Sequence, residues 1–484
     1  MSVLGFVLAV LAVFLVVIQA RAAAFQPKEI KRGAPAEVSV DGDKAVENLQ
    51  KLVRCKTVSY HDRSLEDEAE FAKLAALIPE LYPNVVSSCE KIEVHKRAML
   101  YLWKGKKHGT AGAEASVLMA HYDVVPVEEE NWEKPPFEGI IEDGVLWGRG
   151  TLDTKVTFNG ILMAADRLIG EGFVPEEDIY LAFSGGEETN GPGAIAIVDY
   201  FKEKDIHLSM VVDEGGAVVE NVFPGVKEQC ALIGIAEKGM MDLRYSTASS
   251  GGHASAPAPH TPVGVLAEAV TKVEGHPLPM QITAPVAQMF DTLGRRSTFA
   301  YKILFANLWC FRPVIDLITK KSGGELNALV RTTIAFTCMK GSRATNVIPP
   351  SAEVISNIRI NPAETVASVI ESIRKTIGND AVKLEPVGDY AMDPSPVSRT
   401  DVPGWDRVVS AVSDTWQNTV VSPYLMVQCS DSRHYRDISD RVYKFSAMHL
   451  TKEERGLIHG NNERITLPAV GKAVEFFTRL MLLS

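Results

Sequence analysis

Short apolar runs alternate with helical patterns through the first half of the chain. SVLMA at 116–120, DIYLAF at 178–183 and SMVV at 209–212 are typical of buried strands. Between them, residues 158–168 and 194–201 carry apolar side chains at helical spacing. Buried strands that alternate with helices predict an α/β fold with a doubly wound, mostly parallel sheet covered on both faces.

After Lys238 the order of elements changes to strand, helix, two strands, helix and strand. This β-α-β-β-α-β order predicts a ferredoxin-like α+β module inserted into the first domain. Its predicted elements are residues 239–248, 262–273, 332–340, 352–360, 364–377 and 381–387. The predicted domains are residues 25–237 and 391–484 for the two parts of the first domain, and 238–390 for the insert.

The insert contains a further apolar segment at residues 280–320, which includes FAYKILFANLWCF. We expect extra helices that pack on the module, and a membrane or acyl-chain surface is the alternative.

The N-terminus carries an apolar run from Val3 to Ile18 that only Gly5 interrupts. Residues 1–24 resemble a signal peptide with a tolerable cleavage site at Ala20-Arg21-Ala22, although an uncleaved membrane anchor is also consistent with the run. No polar face interrupts it, so a buried helix fits poorly. We therefore expect entry into the secretory pathway, with a secreted, vacuolar or lysosomal destination.

The overall composition is that of a globular protein, with 46% hydrophobic and 23% charged residues among 484. The formal net charge of −11 excludes the basic footprint of a nucleic-acid binder. The six cysteines contain no C-x-x-C pair, so neither a zinc knuckle nor a disulfide framework is indicated. One or two individual disulfide bridges are still compatible with the sequence, which does not indicate their pairing.

Polar side chains follow the predicted strands at the points where the strands end. One imidazole and several carboxylates at one sheet edge repel each other strongly unless cations neutralise them. Imidazole mixed with carboxylates suits zinc, and so many acids suggest two metals that lie about 3.5–4 Å apart and share a bridging carboxylate. The residues concerned are His121, Asp123, Asp153, Glu187, Glu188, Asp213 and Glu214.

These clusters resemble the dizinc metallopeptidase and aminoacylase family. The closest resemblance is to its Gly-X carboxypeptidase (carboxypeptidase S) branch, which includes the N-fatty-acyl-amino-acid synthase/hydrolase. It covers the chain from about residue 45 onwards and implies a zinc-peptidase fold with a lid domain that dimerises. The matching motifs are MAHYDVVP, NWEKPPFEGIIEDGVLWGRGTLDTK, SGGEETNGPGA, VVDEGG, EKGMMDLRYSTASSGGHASAP, RATNVIPP, SDSRHY and IHGNNERI.

The resemblance implies a role for each site residue. His121 binds one of two zinc ions per subunit and Asp153 bridges both. Glu188 and His459 complete the second zinc site, and Asp213 or Glu214 the first, with Glu214 favoured by analogy to aminoacylases.

Two further acids are implied to be catalytic. Asp123 is expected to orient His121, and Glu187 to act as general base. The second acid of the family's GRG-x-x-DDK motif is Thr154 here, which leaves the bridging acid intact.

Three residues outside the metal set are implied to bind substrate. His253 in the insert resembles a histidine that reaches the site across a dimer interface. Asn346 resembles a substrate-binding position, and Arg433 is suited to a bidentate grip on a free carboxylate.

The predicted activity is a zinc-dependent metallocarboxypeptidase of Gly-X type, which releases a C-terminal amino acid from short peptides by metal-activated water. The alternatives are an N-fatty-acyl-amino-acid hydrolase/synthase or aminoacylase, and, from another class, a metal-free scaffold that retains the fold. The expected partners are a short peptide or N-acyl amino acid and a second copy of the chain.

Overall fold

The computed structural model describes residues 2–28, 33–388 and 390–484, so Met1, residues 29–32 and Asp389 lie outside the described part. The helices are α1 Val3–Ala24, α2 Gly42–Val53, α3 Glu68–Leu81, α4 Pro83–Ser88, α5 Lys155–Gly170, α6 Pro192–Glu203, α7 Pro262–Gly275, α8 Ala284–Gly294, α9 Phe299–Phe305, α10 Leu308–Ser322, α11 Gly324–Val330, α12 Val366–Ile377, α13 Pro403–Thr415, α14 Lys452–Arg455 and α15 Leu467–Leu482.

The strands supply a large sheet and three smaller ones. They are β1 Glu90–Ile92, β2 Ala98–Trp103, β3 Ala115–His121, β4 Ile140–Glu142, β5 Val145–Trp147, β6 Asp178–Ser184, β7 Leu208–Val219, β8 Cys230–Glu237, β9 Gly239–Ala248, β10 Gly252–His253, β11 Thr333–Lys340, β12 Val347–Ile348, β13 Ser351–Ile360, β14 Lys383–Pro386, β15 Val420–Met426, β16 Val442–Leu450 and β17 Arg464–Thr466.

The large sheet has eight strands in the order β1-β2-β6-β3-β7-β16-β8-β15. Its centre is parallel, because β3 pairs in parallel with β6 and β7, and β7 with β16. β2 adds an antiparallel strand beside β6. This confirms the predicted mostly parallel, doubly wound sheet.

The central strands are apolar on both faces because both faces are covered. In β3, Leu118 and Ala120 belong to one core, which α5 and α15 share, whereas Val117 and Met119 belong to a second core with α6 on the other face. The same alternation along β6 explains why these strands have continuous apolar runs rather than a period of two.

β7 extends further than the sequence predicts. The apolar run stops before Asp213 and Glu214, but the strand continues to Val219. At Gly216 the backbone lies so close to the carbonyl of Leu232 in β8 that a Cβ atom would collide with it. This close approach lets the end of β7 pair with the start of β8, and no local pattern reports it.

The inserted module has the predicted ferredoxin-like arrangement. Its antiparallel sheet has the order β11-β13-β9-β14, and α7 and α12 cover one face. β9 alternates buried and half-buried residues, as a strand with one covered face does. The boundaries at residues 237 and 390 stay a prediction.

The apolar segment at 280–320 does form helices, but they do not pack where the sequence suggested. Val286, Met289 and Phe290 of α8 and Phe305 of α9 belong to the core of the large sheet, not to the core of the ferredoxin-like module. Burial of the apolar side chains is favourable on any apolar face, and α8 buries them against β15 of the large sheet.

The N-terminal run forms α1, one helix of 22 residues that by length and composition is able to span a membrane. Only Ile18 and Ala22 of it are buried. An apolar helix of this kind is consistent with a signal sequence or an anchor. All six cysteines are free thiols in the structure.

Candidate metal centre

The acidic site is built where the parallel strands β3 and β6 end together. His121 is the last residue of β3 and lies opposite Ser184, the last residue of β6. A short 3-10 turn, Glu187–Thr189, follows β6, and Glu214 lies on the neighbouring strand β7. The strand register therefore brings these side chains to one edge of the sheet, as expected for a parallel α/β sheet.

The small three-stranded sheet β17-β5-β4 brings Asp153 and His459 to the same site, although they are far apart in the chain. β17 pairs with β5, so the loop before β17 lies against the loop that follows β5. The buried Glu463 accepts hydrogen bonds from the backbone N–H groups of Leu152 and Asp153 at 2.7 and 3.2 Å. The Arg149 guanidinium donates to the same carboxylate at 2.8 Å, so the Asp153 loop and the His459 loop are fastened together.

Asp153 lies between two imidazoles. Its Oδ1 is 3.0 Å from Nε2 of His121, and its Oδ2 is 2.9 Å from Nε2 of His459. Glu188 Oε2 lies 3.2 Å from His459 Nε2, and Glu214 Oε1 lies 3.4 Å from His121 Nε2. The carboxylate of Asp153 is thus the shared member of two groups, one around each histidine.

The side chains of the neighbours Asp213 and Glu214 have different partners. Glu214 points to His121, whereas Oδ2 of the buried Asp213 accepts a hydrogen bond from the backbone N–H of Ser432 at 2.8 Å. By distance between potential ligand atoms, the described residues form two sets, one of His121, Glu187 and Glu214 and one of His121, Asp153 and Glu188. Asp213 belongs to neither set.

Asp123 acts on its surroundings differently from the expectation. Nδ1 of His121 lies 3.0 Å from the backbone carbonyl oxygen of Asp123, while the carboxylate is 3.5 Å away. That carboxylate instead accepts from the backbone N–H groups of Glu187 and Glu188, at 3.1 and 3.3 Å. Asp123 therefore fixes the ring through its main chain and the Glu187-Glu188 turn through its side chain.

The site is short of positive charge. Burial, followed by the charge of Asp153, raises the pKa of the Glu188 carboxyl to about 8, and burial raises the pKa of Glu214 as well. Hydrogen bonds to Asp153 and Glu188 raise the pKa of His459 to about 11. Oε1 of Glu188 is buried without a hydrogen-bond partner among the described residues. A free buried oxygen amid crowded acids and imidazole nitrogens fits divalent cations, and the mixed N/O donor set suits zinc.

Glu187 is held by a buried arginine. Nη1 of Arg433 donates to Oε1 of Glu187 at 3.2 Å and to the carbonyl oxygen of Ser430 at 2.8 Å, and Nη2 donates to Asn190. The side chain of Arg433 is only 3% exposed. The guanidinium expected to grip a substrate carboxylate is therefore engaged with Glu187 in this structure.

A cavity of about 570 Å³ opens beside these acids. Asp153, Glu187, Glu188, Glu214 and His459 line one part of it. The rest of the wall is largely apolar and includes Leu152, Ala217, Val219, Leu232, Ala328, Tyr424, Met426, Val427, Met448, Leu450 and Ile458. The volume is that of a small-molecule site.

His253 and Asn346 lie together, on the inserted module. His253 is in β10, which pairs with β12, and the N–H of Ala254 donates to the carbonyl oxygen of Asn346 at 3.0 Å. Both are exposed. Within one chain, neither belongs to the groups of potential metal ligands among the described residues.

Sequence reasoning missed the residues that support the site rather than line it. Glu463 and Arg149 lie inside motifs that were recognised, yet their pairing joins segments far apart in the chain. Asp431 likewise accepts a short hydrogen bond from Ser184, the residue opposite His121. Only the three-dimensional pairing reveals these contacts.

Comparison with known proteins gives the class to which this site belongs. The sequence matches the family described as Peptidase family M20/M25/M40 over residues 117–483. The chain therefore belongs to that family of metal-dependent hydrolases.

Two relatives show where in the family the chain lies. It is 34% identical over 441 residues to the N-fatty-acyl-amino acid synthase/hydrolase PM20D1 of Xenopus tropicalis, covering 90% of this chain and 85% of the relative. It is 33% identical over 443 residues to a Dictyostelium discoideum protein named "Probable carboxypeptidase S-like 2", covering 90% and 84%. Both branches expected from the motifs are represented.

Solved structures share the fold. An M20 family metallo-carboxypeptidase, Sso-CP2 of Sulfolobus solfataricus, superposes with a TM-score of 0.64 at 16% identity, covering 91% of this chain and 98% of that one. The YXEP protein of Bacillus subtilis, described as a dinuclear metal-binding peptidase, gives 0.57 at 12% identity, covering 91% and 97%.

Proposed function

We propose that the protein hydrolyses an amide bond next to a free carboxylate and so releases an amino acid. The observation that carries the proposal is the position of Glu187. Glu187 lies in the cavity wall together with Asp153. Arg433 donates a hydrogen bond to its carboxylate, and the Asp123 carboxylate accepts one from its backbone N–H. A buried acid held at the edge of a two-centre ligand set is suited to proton transfer.

We propose two zinc ions as the resident cofactor. His121, Asp153 and Glu214 would hold one ion, and Asp153, Glu188 and His459 the other, with Asp153 shared. Zinc when bound supplies a Lewis acid that lowers the pKa of water to about 7 and polarises a carbonyl oxygen. Asp213 is not part of this set, because its carboxylate is used by the Ser432 backbone.

Within this arrangement Glu187 has a single task, to accept the proton of the attacking water and return it to the leaving amine nitrogen. Burial raises the pKa of Glu187, so the carboxyl can hold the proton between the two steps. The Asp123 carboxylate accepts from the backbone N–H groups of Glu187 and Glu188 and so fixes the turn from which both side chains start. One doublet thus provides a base and a ligand.

Two substrate classes fit this reaction. The first is a short peptide of Gly-X type, as in a carboxypeptidase. The second is an N-acyl amino acid, and the apolar wall of the cavity favours it, since Val219, Leu232 and Met448 offer no hydrogen-bonding side chains to a peptide. The similarity to an N-fatty-acyl-amino acid synthase/hydrolase supports the same choice.

We propose that the inserted module acts as a lid that also joins two chains. Exposed His253 and Asn346 lie side by side on it, and neither is among the residues that line the cavity of their own chain. In a homodimer they would be available to the site of the partner, where His253 would donate to the developing oxyanion. We also infer that the chain enters the secretory pathway, because α1 is consistent with a signal sequence or anchor.

The test is a substrate comparison on the metal-loaded protein. N-blocked Gly-Leu, N-oleoyl-leucine and N-oleoyl-leucinamide would be compared by release of the free amine. Hydrolysis of N-oleoyl-leucine alone supports the acyl class, and hydrolysis of the dipeptide alone supports the Gly-X class. Turnover of the leucinamide at the rate of the acid would contradict recognition of a free carboxylate.

A further inference from the structure

The apolar helix α1 lies beside a second apolar surface that the proposed function does not use. We propose that this surface, the outer face of α9 and α10, docks on an anionic lipid bilayer in which α1 is inserted. We call it the apolar ledge, and it consists of Phe299, Tyr301, Trp309, Val314, Leu317 and Ile318.

The ledge reverses the usual polarity of a surface helix. In α10 the inward positions are Ile315 and Thr319, which are buried. The outward positions Trp309, Leu317 and Ile318 are apolar and 60%, 55% and 51% exposed. A helix packed on a soluble core normally carries polar residues outward, whereas a helix that lies in a membrane interface carries an apolar outer face.

α1 is fastened to this region by specific contacts. Asn307, buried between α9 and α10, donates from Nδ2 to the carbonyl oxygen of Ile18 at 3.0 Å. Arg21 donates from Nε to Oδ1 of Asn307 at 3.0 Å and from Nη2 to the carbonyl oxygen of Ala306 at 3.0 Å. These reciprocal bonds make the end of α1 part of the folded body and point to a retained anchor.

The lengths place the ledge at the membrane boundary. With 22 residues, α1 is about 33 Å long, close to the hydrocarbon thickness of about 30 Å. The ring of Phe14 meets that of Trp309 at 6.1 Å. Phe14 is seven residues before Arg21, so Trp309 lies about 10 Å deeper than the arginine along α1. That depth is typical of interfacial helices, which enter the bilayer by about 5–10 Å.

The charges beside the ledge favour anionic lipids. Arg312, Lys320 and Lys321 of α10 are exposed. The only acid in α10, Asp316, is paired with Lys320 and with Arg331, at 2.8 Å in each case. Exposed cations around apolar side chains are what a surface needs to bind acidic headgroups.

Docking would also present the cavity to the membrane. α10 ends at the Gly323-Gly324 turn, and Gly324, Glu325 and Ala328 of the next helix line the cavity beside the metal ligands. An acyl substrate dissolved in the bilayer would then have a short path to the site. This consequence, unlike the docking surface itself, rests on the proposed function.

The test separates the ledge from the anchor. A site-specific protease sequence is inserted between Gly33 and Ala34, and the full chain is placed in phosphatidylcholine vesicles with or without phosphatidylserine. After cleavage, much more of the body should stay with the anionic vesicles than with the phosphatidylcholine vesicles, because its contacts with α1 are the same on both. In the Leu317→Glu/Ile318→Glu variant the bound fraction should fall roughly tenfold or more, because two apolar side chains no longer leave water. The matched control is Val86→Glu/Val174→Glu, which alters two apolar residues of similar exposure elsewhere.

The outcomes decide the proposal independently of the reaction. Release of the wild-type body on cleavage, or equal binding of the ledge variant, would overturn it. The proposal would also be overturned if the ledge variant differed from the wild type in oligomeric mass but not in vesicle binding. That result would mean that a second copy of the chain covers the ledge. Unfolding temperature verifies that the variants fold. If the double variant does not fold, the Trp309→Phe variant replaces it. Brominated lipids should then quench the tryptophan fluorescence of Trp309→Phe less than that of the wild type, and equal quenching would contradict the docking.

Discussion

Asp213 and Glu214 are neighbours in β7, and their side chains leave the strand in opposite directions. Glu214 approaches Nε2 of His121, while Asp213 accepts the backbone N–H of Ser432. The two side chains diverge where the pairing of β7 with β16 is irregular, because Asp213 lies opposite Lys444 whereas Gly216 already lies opposite Phe445. Irregularities of this kind change the direction in which side chains leave a strand. One acid of the pair can therefore serve the metal centre and the other the loop behind it.

Alanine at each position should separate these roles. Glu214→Ala should lose one of two bound metals and nearly all activity, because one ligand group is left incomplete. Asp213→Ala should keep both metals but lose about 1–3 kcal/mol of stability, because the Ser432 N–H is left buried without an acceptor. Metal analysis and denaturant unfolding measure the two effects. Loss of metal in Asp213→Ala alone would assign the ligand to Asp213.

Arg433 should act on Glu187 rather than mainly on the substrate. Burial raises the pKa of Glu187, and the Arg433 charge opposes that rise. Arg433→Met should therefore lower kcat by roughly 30-fold or more and move the acid limb of kcat/KM to higher pH, with the metal content unchanged. If Arg433 grips the substrate carboxylate instead, KM rises only for substrates that carry one, and the acid limb stays in place.

Removal of metal should make stability depend on pH. In the chelated protein the pKa of Glu188 is about 8, against about 4.5 in an unfolded chain. A carboxyl whose pKa is raised by folding contributes stability that is fully present below pH 4.5 and is lost as the pH rises through 8. The gap in unfolding temperature between the metal-loaded and chelated proteins should therefore widen from pH 5 to pH 8. The chelated Glu188→Gln variant, which has no acid there, should show a shallower slope.

A larger side chain in the cavity should slow hydrolysis of a substrate with a long acyl chain more than that of one with a short acyl chain. Ala328 lines the apolar part of the cavity, so Ala328→Phe should reduce kcat/KM for N-oleoyl-leucine by roughly tenfold or more and leave N-acetyl-leucine within about twofold. The control is Ala300→Phe, at an exposed position of α9. Equal loss on both substrates would mean that the acyl chain lies elsewhere.

The sequence predicts those parts of the fold that depend on local periodicity. The apolar runs of β3 and β6 locate both strands to within a residue or two, and their ends give His121 and Glu187. The length of β7 was beyond reach, because it depends on the contact of Gly216 with the carbonyl of Leu232. Such a contact leaves no periodic signal in either segment.

The candidate site divides in the same way. The motifs name its residues and favour Glu214 over Asp213 only by analogy, whereas the direction of each side chain gives a physical reason for the same choice. The packing of α8 against β15 was also missed, since an apolar helix does not specify which of two apolar faces it covers. Non-local pairing decides each of these points.

The most direct measurement of the central claim is metal content together with amide hydrolysis for the wild type and Glu187→Gln. The account predicts two zinc ions per chain in both proteins, and a loss of kcat of about 10²–10⁴-fold in the variant, because only the proton-transfer group is removed. Wild-type protein that binds no metal and turns over no substrate would contradict it and favour a scaffold, and a Glu187→Gln variant with full activity would exclude Glu187 as the base.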